Sequence, residues 1–133
     1  MKKVVVLLFI FLSVLVLSSC QFSSHGEIYD DEYQWTASGD TYSFLGRYES
    51  NNNISFKRFS GLYTIERFTQ EEDFIITINQ DILSGQFMCF IVTEDYEIIE
   101  LVDGENQIKN QRGTFRMRMV ANDAKGSISY TIS

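Results

Sequence analysis

From Thr41 onward the side chains alternate with period two, and this pattern restricts the chain more than any other feature of it. Tyr42, Phe44, Gly46 and Tyr48 alternate with Ser43, Leu45, Arg47 and Glu49, and Phe59, Gly61, Tyr63 and Ile65 alternate with Ser60, Leu62, Thr64 and Glu66. Successive side chains of a strand point to opposite faces, so one face of each segment is the richer in large apolar groups. Phe74, Ile76 and Ile78 continue the pattern after the acidic turn Glu71-Glu72-Asp73, while Gln86 to Thr93 is apolar on both faces, as a central strand is. Ile98 to Val102 makes a shorter strand. Phe115, Met117 and Met119 then alternate with Thr114, Arg116 and Arg118, and Ile128, Tyr130 and Ile132 alternate with hydroxyl residues from Ser127 to Ser133.

Turn-forming residues separate these segments: Asn51-Asn52-Asn53, Ser84-Gly85, Asp103-Gly104, Asn110 to Gly113 and Asn122 to Gly126. No 11-residue window after Ser38 carries a helical stripe, although Glu66 to Asp73 is read as a helical turn. The chain has 133 residues, 44% hydrophobic and without proline, which fits one ordered domain and is too short for two. The expected fold is all-β: a single antiparallel β-sandwich of about eight strands, jelly-roll or Ig-like, over residues 39–133, with a small β-barrel as the alternative.

The N-terminus follows different rules. Met1, Lys2 and Lys3 make a basic start, Val4 to Leu17 is apolar except for Ser13, and no acidic residue occurs before Glu27. As a helix the apolar run spans about 21 Å, short of the roughly 30 Å hydrocarbon core, so it reads as a signal-peptide core and not as a permanent span. Leu17-Ser18-Ser19-Cys20 then resembles the lipobox of bacterial lipoproteins at all four positions. That resemblance implies residues 1–19 as signal peptide, cleavage between Ser19 and Cys20, and a covalent diacylglycerol on Cys20, with or without a further N-acyl chain. It also implies a bilayer partner and a domain anchored on the extracytoplasmic face of the cell membrane. Two or more acyl chains anchor durably where one does so marginally.

Over Phe74 to Ile132, the placement of Gly85, Gly113-Thr114-Phe115 and Gly126 is similar to that in the jelly-roll sandwiches of secreted bacterial proteins of the pre-peptidase C-terminal type. That likeness bears on fold alone. Residues 20–38 are expected to form the lipidated N-terminus and a flexible spacer of up to roughly 60 Å if extended. Tyr29, Tyr33 and Trp35 break the spacer pattern, and are expected either to pack as a first strand on the domain or to form a sticky patch.

Removal of Lys2 and Lys3 leaves nine cations against eighteen carboxylates, a net charge of −9, which opposes a nucleic-acid partner. His25 is the only histidine and lies in the spacer, which removes Ser-His and Cys-His catalysis and paired-histidine zinc sites. Cys89 lies in the apolar run Phe87 to Val92 and reads as a core residue without a disulfide partner once Cys20 carries lipid. The loop carboxylates Glu71 to Asp73, Glu94, Asp95, Glu97, Asp103 and Glu105 read as solubilising turns, with calcium ligation as the alternative, although Asp103-Gly104-Glu105-Asn106 does not match the spacing of an EF-hand loop.

No catalytic residue, metal ligand or cofactor other than the lipid is therefore expected. The candidate contact residues are Tyr33, Trp35, Arg116 and Arg118, the arginines because they share one face of a strand that Arg47, Arg58 or Arg67 joins across the sheet. The expected role is a non-catalytic module that binds an envelope protein or polysaccharide. The alternative is a carbohydrate-binding or carbohydrate-active domain that uses loop carboxylates and exposed aromatics.

Overall fold

The structure is a computed structural model that describes residues 25–37 and 39–133. Cys20, Ser19, the signal-peptide segment 1–19 and Ser38 lie outside the described residues. The described residues are all-β beyond a short helical segment at their N-terminal end. The strands are β1 (Thr41–Leu45), β2 (Tyr48–Ser50), β3 (Asn53–Gln70), β4 (Phe74–Val92), β5 (Ile98–Leu101), β6 (Gly104–Ile108) and β7 (Gly113–Ile132). All pairings are antiparallel and form one sheet in the order β1-β3-β7-β4-β5, with β2 also on β3 and β6 also on β4.

This sheet folds over on itself. Phe115 and Phe74 show why: Phe115 pairs with Phe68 near the start of β7, while Phe74 lies two residues before Ile76, which pairs with Ile132 at the far end of β7. In a flat sheet those two ends of β7 would be about 55 Å apart. The rings of Phe74 and Phe115 are 5.0 Å apart, and Phe68 meets Phe74 at 5.6 Å.

The long strands therefore turn a corner midway, where the pairing register shifts: between Phe56 and Phe59 in β3, between Ile82 and Gln86 in β4, and opposite both in β7 at residues 122–126. One layer holds β1, β5 and the parts of β3, β7 and β4 on one side of the corner. The other holds β2, β6 and the parts on the other side. Bulges increase local twist and bend a strand, which lets one sheet supply both layers of a sandwich. The pairing path ends at β1 and at β5.

Eight short strands were the sequence expectation, and three strands of 18–20 residues replace several of them. Ser84-Gly85 and Asn122 to Gly126 are bends within β4 and β7, not chain reversals. Gly85 has φ +82°, and a Cβ there would strike the Asp123 carbonyl, so the backbones of β4 and β7 approach closely because that side chain is missing. Glu66 to Asp73 holds no helical turn, since β3 runs straight through to Gln70. The turns at Asn51-Asn52, Asp103-Gly104 and Asn110 to Gly113 do connect strands, with Asn51, Asn52 and Asn110 at positive φ.

The main core lies between the layers and includes Phe56, Phe59, Ile76, Cys89, Ile91, Phe115, Met117, Met119 and Ile128. Phe44 stacks on Phe59 with centroids 4.5 Å apart, closing the core beneath β1. A second cluster of Leu62, Phe90, Val92 and Val120 lies on the opposite face of the first layer. Its cover is the N-terminal segment: a 3-10 helix over Gly26–Asp30 and α1 over Glu32–Trp35, which bring Ile28 and Trp35 onto those side chains. The two-faced apolar pattern of Gln86 to Thr93 thus has two separate causes, the sandwich core on one side and this strap on the other. The flexible-spacer expectation fails for residues 25–37, because Ile28 and Trp35 bury apolar surface that water would otherwise cover.

Candidate functional site

Three of the four candidate contact residues meet in one place, where they hold the strap. The Trp35 side chain is 4% exposed, stacks on Phe90 at 5.2 Å, and donates its indole N–H to the Ile28 carbonyl at 2.7 Å. Arg118 is fully buried. One of its terminal nitrogens donates to the carbonyls of Trp35, at 2.7 Å, and Ala37. The other donates to the Gly39 carbonyl at 2.8 Å and to Asp40 Oδ1 at 2.9 Å. Arg116 adds bonds to the carbonyls of Ala37 at 2.9 Å and Thr36 at 2.8 Å.

The guanidinium donors meet carbonyls that the end of a four-residue helix leaves without partners, and their positive charge suits that end of the helix. Arg118 Nε alone has no partner. Burial pulls the Arg118 pKa down, and Asp40 opposes it through a hydrogen bond and its charge. Burial pushes the Asp40 pKa up, but bonds from the Thr64 hydroxyl, the Thr64 N–H and Arg118 outweigh that and hold it below the ordinary carboxylate value.

Tyr33 differs from the other three. It is 87% exposed, on the outer side of α1, with no role in holding the strap. Trp35 and Arg118 consequently form an internal fastening and not an open contact patch, while Arg116 both holds the strap and lines an open groove. Beyond the end of the strap, Arg67 pairs across the sheet with Arg116 and lines an open groove of about 340 Å3 with Thr93, Glu94, Tyr96 and Thr114. The Glu94 carboxylate there accepts the Thr114 N–H at 2.8 Å, which supplies a negative charge beside the two arginines.

A second polar site lies at the open edge between the layers, and sequence reasoning did not single it out. The bulge between Thr64 and Glu66 turns Glu66 inward, where Oε2 accepts the Tyr130 hydroxyl at 2.7 Å. Glu49 on β2 accepts the Tyr63 hydroxyl at 3.0 Å and pairs with Arg47 at 3.6 Å. The Arg47 guanidinium in turn lies over the rings of Phe44 and Tyr63, at 5.1 and 5.6 Å. A cleft of about 180 Å3 opens there, lined by Glu49, Asn51, Asn52, Ile65 and Tyr130 among others.

Burial, then the neighbouring carboxylates, push the Tyr63 and Tyr130 phenols upward, so both are hydrogen-bond donors at neutral pH. Each carboxylate keeps acceptor capacity beyond its tyrosine. The inward turn of Glu66 depends on a bulge, and period-two reading assigns that residue to the wrong face.

Cys89 is buried in the core and its thiol is pushed up to about 12, chiefly by burial. Among the described residues no group of three or more His, Cys, Asp or Glu side chains is placed to hold a metal ion. No helix among them is long and apolar enough to cross a membrane. Comparison of the chain with known protein families, with curated proteins and with solved structures finds no match in any of the three.

Proposed function

We propose that the protein is a bacterial lipoprotein: a β-domain held by lipid on Cys20 at the extracytoplasmic face of the cell membrane, acting as a non-catalytic binding module. The observation that carries this reading is Leu17-Ser18-Ser19-Cys20 directly after the apolar run Val4 to Leu17. The described segment that follows, from residue 25, is fastened to the sheet by Ile28, Trp35 and Arg118. The test is the full chain carrying Cys20→Ala. The parent is expected in the membrane fraction, cleaved and carrying incorporated radiolabelled fatty acid, and the variant is expected to lose both the label and the cleavage. A variant processed and retained like the parent refutes the reading.

The open-edge cleft favours a second reading for the module, as a carbohydrate binder. Glu49 and Tyr130 line it beside Asn51 and Asn52, and the Glu49 carboxylate offers oxygens to sugar hydroxyls. Affinity electrophoresis through gels containing cell-wall or capsular polysaccharide tests it. Retardation that is lost in Glu49→Gln supports sugar binding, whereas equal mobility with and without polysaccharide contradicts it.

A further inference from the structure

The corner at which the sheet folds over collects side chains that are scarce elsewhere on the molecule. Lys57 and Arg58 lie in the β3 bulge, Asp123 and Lys125 face them from β7, and Leu83 and Ser84 lie alongside on β4. Leu45 ends β1 opposite Arg58. Leu45 is 50% and Leu83 65% exposed, and Lys57, Arg58 and Lys125 are all exposed. Arg58 pairs with Asp123, while neither lysine forms a salt bridge among the described residues.

With Asp81 two residues before Leu83, the corner thus presents three cations and two carboxylates, whereas the other described residues carry six cations and sixteen carboxylates. The opposite end of the body holds Glu71, Glu72, Asp73, Glu94, Asp95 and Glu97 in its two turns. The strap also begins at the corner: Gly26 is packed against the Asn122 side chain, and Asn122 pairs with Gln86. Four residues lie between Cys20 and His25, a reach of at most about 17 Å.

We infer that this corner is a docking surface for the anionic headgroups of the bilayer that holds the anchor, with Lys57, Arg58 and Lys125 against the headgroups and Leu45 and Leu83 at the acyl boundary. The inference rests on the lipoprotein reading and adds an orientation to it. An acidic body is repelled by an anionic surface as a whole, and the short tether keeps it within reach of that surface. The orientation that places the corner downward turns the three clustered cations toward the lipid and moves most of the carboxylates away beyond the screening length of about 8 Å. Each cation near such a surface biases the equilibrium about fivefold, so Lys57 and Lys125 together contribute on the order of 25-fold.

The test uses the lipidated protein in vesicles of phosphatidylglycerol and phosphatidylcholine whose acyl chains carry a quencher. A polarity-sensitive fluorophore is attached at Leu83→Cys, at Ser84→Cys as a second corner probe, and at Tyr96→Cys on the far end. Cys89 is buried and stays unlabelled. Docking predicts a blue shift and strong quenching at positions 83 and 84, little at 96, and loss of the difference in a Lys57→Glu, Lys125→Glu background or in high salt. Equal quenching at 83, 84 and 96 on a protein with diacylglyceryl-Cys20 overturns the docking and leaves the anchor intact. Self-quenching between labelled molecules without lipid contact assigns the corner to a second copy of the chain, which also overturns it. Unmodified Cys20 overturns the anchor and the docking together.

Discussion

Replacing Arg118 by methionine isolates the fastening of the strap, because it keeps an unbranched buried side chain and removes the donors. Four hydrogen bonds disappear, three to carbonyls and one to Asp40. The Ala37 carbonyl keeps its bond from Arg116, and the Gly39 carbonyl belongs to an exposed residue and regains water, so each loss costs about 0.5–1.5 kcal/mol. The Trp35 carbonyl is bonded in a buried position, and its loss costs about 1–3 kcal/mol. Together with the broken ion pair, the expected loss is about 3–5 kcal/mol, comparable to the burial of Ile28 and Trp35 that holds the strap down.

The expected result is therefore local release of the strap and not global unfolding. Trp35 is the only tryptophan, so its emission reports the strap alone, while far-UV circular dichroism reports the sheet. Arg118→Met should shift the emission to the red in native buffer with the β signal retained. Arg118→Lys should recover part of the loss, since one ammonium supplies charge but cannot span carbonyls on both sides as the fork does. An emission maximum unchanged in Arg118→Met, with stability within about 0.5 kcal/mol of the parent, would refute the argument.

Other perturbations test other parts of the structure. Gly85→Ala places a Cβ against the Asp123 carbonyl at a positive φ, and thermal unfolding should show destabilisation of about 2 kcal/mol or more. The Cys89 thiol, pushed up to about 12, is ionised in fewer than about one molecule in a thousand at pH 8, so maleimide should label it only after denaturation; rapid labelling of the native protein contradicts its burial. Asp40 is held below its ordinary value, so its contribution to stability is present above about pH 4 and disappears as pH falls through the lower, folded-state value. Asp40→Asn should flatten the acid limb of a stability-against-pH curve, and an unchanged limb contradicts the bonds drawn to Thr64 and Arg118.

Strand identity was legible in the sequence because period two survives wherever one face is buried, as in Phe115, Met117 and Met119. The layout of the long strands was not. Ser84-Gly85 and Asn122 to Gly126 are chemically turn residues, and only pairing across β7 makes them corners of continuous strands. A bulge and a turn require similar backbone angles and so select the same residues.

The arginines were picked out correctly as a pair on one face, but whether that face meets solvent depended on the strap. Its helical segments are too short to carry a periodic signal. Trp35 held the available clue, since a tether has little use for a large apolar ring. The open-edge cleft was hidden for another reason: Glu66, Glu49 and Tyr130 are far apart in sequence, and meet only because the sheet folds over.

The most direct test of the account is the intact mass and N-terminal sequence of the protein extracted from its own membranes. A chain beginning at Cys20 and carrying a diacylglyceryl group on its sulfur is the predicted result. A mature chain that still begins at Met1, or a cleaved one whose residue 20 bears no lipid, would contradict it.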